Sequence, residues 1–127
     1  MPKQSKPDIL TRLTKMCLVL PEAERILQGD HASFRVRKKV FAYFLNNHHG
    51  DGIVSVCAKA GPGDNTALAS AQPDRFYLPA YIGPRGWVAL RLDVGEIDWD
   101  EVGELMKDSY RRTAPKTLAA AVRLSEA

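Results

Sequence analysis

The chain has no apolar run near the ~18 residues needed to span a bilayer, which argues against a membrane-spanning protein. It has only two cysteines, Cys17 and Cys57. They share no C-x-x-C spacing and have no neighbouring histidine, so neither a zinc site nor a redox pair is indicated. Each falls in an apolar segment, and both are expected to be reduced and buried. There is no glycine-rich phosphate loop, no G-x-S-x-G, no H-E-x-x-H and no nucleophile paired in sequence with a base. The expectation is a non-catalytic protein that uses no cofactor and no metal. No repeat, low-complexity tract or linker interrupts the chain, so residues 1–127 are expected to form one domain. The start, M-P-K-Q-S-K-P-D, is polar and is not the apolar core of a signal peptide. A cytoplasmic protein with no membrane partner is expected.

What remains is ordinary in amount and uneven in arrangement. Hydrophobic residues make up 45% and charged residues 26% of 127, values usual for a globular domain. A core of this size needs no disulfide or metal. The net charge is only +3, but the signs come in blocks. Arg35, Arg37, Lys38, Lys39 and Lys59 precede an acidic block of Asp93, Glu96, Asp98, Asp100, Glu101 and Glu104. Lys107, Arg111, Arg112, Lys116 and Arg123 then turn the chain basic again. Basic patches attract polyanions.

Helical spacing of Ile9, Leu10, Leu13, Met16, Cys17 and Leu20 predicts a first helix, started near Ser5-Lys6-Pro7-Asp8 and ended by Pro21. Residues 22–31 are ambiguous between a short strand and a further turn. Phe34 and Val36 alternate with Ser33, Arg35 and Arg37, and Val40 to Leu45 is rich in strand formers. The basic join Arg37-Lys38-Lys39 makes these a hairpin. A polar turn, Asn46 to Gly52, leads to a strand over Ile53 to Lys59, and so to an antiparallel meander. Asn65 to Ala71 is expected to be a short helix capped by Asp64. A long helix starts at Asp98 with Trp99, Val102, Leu105, Met106, Ser109 and Tyr110 inward. It breaks before Pro115, and Lys116 to Leu124 continues as a last helix. The fold class is α+β: an antiparallel sheet with the terminal helices on one face.

The most informative stretch is Asp74 to Asp93. Gly83-Pro84-Arg85-Gly86 is a turn between two apolar runs. After it, Val88, Leu90 and Leu92 share a core face, while Trp87, Ala89 and Arg91 share the other. The second face is either a partly covered structural surface or one that meets a ligand.

Four pieces resemble the MmcQ/YjbR family: F-R-V-R-x-K-x-F-A-Y-F from Phe34, P-D-R-F-Y-L-P-A-Y-I-G-P-R-G-W-V from Pro73, D-W-D-E-V from Asp98 and A-P-K-T-L from Ala114. The resemblance runs from about Ile9 to Val122. It implies a small bacterial single-domain protein with a double-wing arrangement, related in outline to bacterial frataxin, and it implies DNA binding. It implies no catalytic residue. Lys38 departs from the pattern, standing at a hairpin position where glycine is expected.

The first candidate site is that hairpin, with Arg35 and Arg37 on its outward face and Lys38 and Lys39 at its tip. Clustered cations bind phosphates by releasing counterions, although the same cluster can simply guard a sheet edge. The second is Arg85, Trp87 and Arg91, the other wing, where an arginine beside a tryptophan can meet a base or phosphate. Its bland alternative is local packing, with Arg91 paired to Asp93. His48-His49-Gly50-Asp51 reads as a polar turn rather than a metal site, and His31 is isolated. The acidic run suggests a frataxin-like iron site. It is better explained as Asp98, Asp100 and Glu101 complementing a helix start while Lys107, Arg111 and Arg112 complement its end. The primary expectation is DNA binding through phosphates. The alternative is a ligand-sensing or protein-interaction domain that uses the surface around Tyr81 and Trp87. Cations gathered on one face would favour the first, and a deep apolar cavity at Tyr81 and Trp87 the second.

Overall fold

The computed structural model describes residues 6–47 and 50–123, with side chains from residue 8 onward. Ser5, His48, His49 and Leu124, each named above, lie outside the described residues. The first helix, α1 (Lys6–Leu18), buries Ile9, Leu13 and Cys17. It stops two residues short of Leu20, whose N–H closes a turn on the Cys17 carbonyl before Pro21.

Six antiparallel strands follow: β1 (Ala23–Gln28), β2 (His31–Val36), β3 (Lys39–Asn46), β4 (Val54–Lys59), β5 (Phe76–Tyr77) and β6 (Trp87–Arg91). Their order across the sheet is β1-β2-β3-β4-β6-β5. The ambiguous segment is thus an edge strand. Its pattern was faint because only Ala23 and Ile26 are half-buried. In β2 the period is plain: Ala32, Phe34 and Val36 are buried, and His31, Ser33 and Arg35 alternate with them. A register shift at Phe34/Arg35 lets the consecutive residues Phe41 and Ala42 of β3 both be buried.

Helix α3 (Trp99–Thr113) crosses the buried face of the sheet. Asp98 caps it, accepting from the Asp100 and Glu101 N–H groups at 3.1 and 3.2 Å. Val102, Met106, Ser109, Tyr110 and Thr113 are buried, and the Tyr110 ring meets Phe41 edge-on at 5.4 Å. The break before Pro115 is present: Ala114 has ψ 157, and α4 (Lys116–Ala120) begins anew. Helix α2 (Asp64–Ala71) corrects one expectation. Its N-cap is Gly63 at φ 78, and Asp64 already lies inside the helix, because the chain enters through a left-handed residue that only glycine adopts easily.

The fold is therefore α+β, with α1 and α3 on one face. The other face is also partly dry. Cys57, Trp87 and Ala89 form a second buried cluster, bordered by Val40, Tyr43, Leu45, Tyr77 and Ile82. Among the described residues no helix is long and apolar enough to cross a membrane.

Candidate nucleic-acid interface

Val36 pairs with Lys39, so the hairpin loop is only Arg37 and Lys38, and Lys39 belongs to the strand. Two-residue hairpins need left-handed turn residues to match strand twist, and glycine or asparagine usually supplies them. Here Arg37 has φ 49 and Lys38 φ 69, a conformation costing about 1–2 kcal/mol per non-glycine residue. The turn therefore holds two cations where less strained residues would serve. Arg37, Lys38 and Lys39 are all exposed. Arg37 Nε and Nη2 donate to Glu22 at 2.5 and 2.9 Å. That hydrogen bond, more than the opposite charge itself, holds the Glu22 carboxyl below its usual range. Arg35 stands 3.7 Å from Glu24. Among the described residues no ion pair engages Lys38 or Lys39.

The second cationic tip is placed by Asn65. Its side chain is buried, and Nδ2 donates to the carbonyls of Gly83 and Trp87 at 2.9 and 3.2 Å. This pins the 3₁₀ turn Gly83–Arg85 to the start of β6 and leaves Arg85 exposed. Lys59 pairs with Trp87 across the sheet, and Ala60 donates to Gly86 at 2.9 Å. The β2–β3 turn, the end of β4 and the start of β6 thus share one end of the sheet. The C-terminus of α3 joins them, because Ser109 Oγ donates to the Phe41 carbonyl at 2.5 Å and accepts from the Lys59 N–H at 2.8 Å. Arg111 and Arg112 follow, both exposed, with Arg112 bonded to Asp108 at 2.9 Å.

Two residues of the expected site do not join the exposed cations: Trp87 is at the same end but buried, and Arg91 is at the other end. Trp87 is 5% exposed. Its ring packs on Tyr43 at 5.3 Å, and the Lys59 ammonium lies 5.8 Å from its centre. Arg91 pairs with Ser55 at the opposite end of β6 and is held by both oxygens of Asp93 at 3.0 and 3.1 Å. That far end also carries Asp30, Asp51, Asp98, Asp100 and Glu101, of which Glu101 is ion-paired with Arg75, so carboxylates outnumber cations there and the molecule has a basic and an acidic end. Among the described residues no three His, Cys, Asp or Glu side chains converge as metal ligands would.

The open face holds a cavity of about 420 Å³, with Tyr81 in its lining as the alternative reading expected but with Tyr43, Leu45, Cys57, Tyr77 and Ile82 in place of Trp87. Tyr81 borders it, while Trp87 lies behind Tyr43. One signal was available: Tyr43, Leu45, Cys57 and Tyr77 all stand in the outward phase of their strands, where polar residues are the norm. Ser55 Oγ and the Tyr77 hydroxyl are hydrogen-bonded at 2.8 Å, and burial raises the Tyr77 phenol above its usual range.

An antiparallel sheet backed by helices, with cations at one end, defines a small α+β protein. The chain belongs to the YjbR family, whose family model matches residues 18–112. It is similar in structure to a Deinococcus radiodurans protein with a DUF419 domain. The TM-score is 0.68 at 21% identity, over 91% of this chain and 88% of that one. At that identity the likeness carries the fold. No curated protein matches.

Proposed function

We propose that this protein binds nucleic acid through its phosphates, without catalysing a reaction, at the basic end of the sheet. The carrying observation is that cations far apart in sequence, at Arg37 to Lys39, Lys59, Arg85 and Arg111, meet at one end of the fold. Lys38, Lys39 and Arg85 are the foremost contacts, since they are exposed and no ion pair engages them among the described residues. Arg35 and Arg37 must exchange a glutamate for a phosphate. Arg91 and Trp87 play no direct part in this reading. The test is a titration with duplex and single-stranded DNA at several salt concentrations. Affinity should fall with salt at a log–log slope of about −0.9 per phosphate neutralised. Lys38→Ala with Lys39→Ala should flatten that slope by about 1–2 units, alike for unrelated sequences. Absence of binding at low salt, or an unchanged slope in the double variant, refutes the proposal.

A second reading, that the open face takes a small ligand, is supported by the aromatic cavity beside Tyr81. Its volume lies within the usual range for ligand pockets.

A further inference from the structure

Among the described residues, the walls of the open-face cavity are aliphatic or aromatic apart from Cys57, with one charged lining residue, Asp51. Three tyrosine rings, from Tyr43, Tyr77 and Tyr81, border the same space. Aromatic faces are electron-rich and attract cations, most strongly when water is excluded. Asp51 is anchored for such a role: Oδ1 accepts from the Ile53 N–H at 2.9 Å, and Oδ2 accepts no hydrogen bond among the described residues. The nearby cation does not cancel it, because Arg91 is already held by both oxygens of Asp93. Among the described residues, the rim is thus left with one net negative charge.

Tyr81 adds an independent sign. It is 85% exposed, the most exposed of the large hydrophobic side chains, and its backbone is left-handed at φ 67. A bulky residue held in that region carries backbone strain, and such strain clusters at ligand clamps. The Tyr77 ring is held in place by its hydroxyl's hydrogen bond with the buried Ser55, so this wall of the cavity is preset while Tyr81 borders the mouth.

We infer that this cavity is an aromatic cage for a small organic cation with an apolar body, such as an alkylated amine or quaternary ammonium compound, with Asp51 as its counter-charge and Tyr81 as its outer wall. The inference rests on the reading that the cavity takes a ligand. It is separate from nucleic-acid binding, since a phosphate would meet Asp51 unfavourably.

Calorimetric titration with three probes of similar size tests it: benzyltrimethylammonium, benzyl alcohol and phenylacetate. The cation should bind most tightly, and phenylacetate about tenfold or more weakly by comparison. Asp51→Asn, which keeps the Ile53 hydrogen bond, should weaken the cation about fivefold and leave benzyl alcohol unchanged. Tyr81→Leu keeps an apolar wall but removes the ring, and should weaken the cation by a similar factor. Thermal melts of both variants establish that they are folded. If all three probes bind alike, or if neither variant moves the cation, the cage is refuted while the ligand reading stands. If none binds, both fall.

Discussion

The two ends of the sheet solve the same geometric problem with different residues. At the acidic end, left-handed backbone falls to the uncharged residues Gly29, Asn47, Gly50, Gly52 and Gly95. At the basic end, it falls also to Glu22, Arg37 and Lys38. Strand β2 makes the contrast sharp, because it leaves the sheet through Gly29-Asp30 at one end and Arg37-Lys38 at the other. Glycine takes the left-handed region at no steric cost, so its use at one end is ordinary. Charged residues in the same region are held there against a local penalty. The difference lies in what fills the strained positions, charged side chains at one end and glycine or asparagine at the other.

The largest expected effect comes from undermining the basic end as a whole. Phe41, beneath the start of β3, is fully buried against Tyr110. Phe41→Ala should lower stability by about 3–5 kcal/mol in urea unfolding. Ser109 is next. It bridges the Phe41 carbonyl and the Lys59 N–H from a fully buried position. Ser109→Ala leaves two buried backbone groups without this partner and should cost about 1–3 kcal/mol, with a matching fall in melting temperature.

Lys38→Gly separates conformation from charge. It should stabilise the fold by about 1 kcal/mol by relieving the left-handed strain, while lowering the magnitude of the DNA salt slope by about 1 unit. The mirror substitution at the other end, Gly29→Ala at φ 59, should destabilise the fold by about 1 kcal/mol and leave the salt slope alone. Equal signs for the two stability changes would break the comparison.

Acid titration compares the paired charges at the two ends. Glu22 is lowered by its hydrogen bond to Arg37. At Asp93, burial pushes the carboxyl up, yet Arg91 and backbone donors outweigh it and leave the group lowered. A carboxyl with a depressed folded pKa contributes stability above its unfolded pKa and loses it as pH falls through the folded one. Both contributions should therefore be present at neutral pH and vanish below the usual carboxylate range. Carboxyl NMR titration of wild-type protein and of Arg37→Gln should show Glu22 returning to its ordinary value. The smallest effect concerns the thiols. Cys17 and Cys57 are both fully buried, and burial pushes the Cys57 thiol up to about 12, so a bulky thiol reagent should label neither at appreciable rate in the native state.

Local patterns determined much of this molecule by themselves. Alternation at Val88, Leu90 and Leu92 assigned the core face of β6, because side chains in a strand point up and down by turns. Pro115 ended a helix, and Asp98 began one, through hydrogen bonds and steric contacts only a few residues long. Burial of Cys17 and Cys57 followed from their apolar neighbours. Only the tertiary structure decided the rest, because the rest depends on register across the sheet. Arg85 and Arg91 stand six residues apart, yet β6 carries one to the basic end and the other to Asp93. Trp87 occupies an outward strand position and is still buried, since Tyr43 arrives from another strand to cover it. Tyr43, Asp51, Cys57, Tyr77 and Tyr81 come from different strands and loops and border one space only once β3, β4, β6 and β5 have paired side by side. A cavity is a property of surfaces that meet, and no spacing within one segment encodes it.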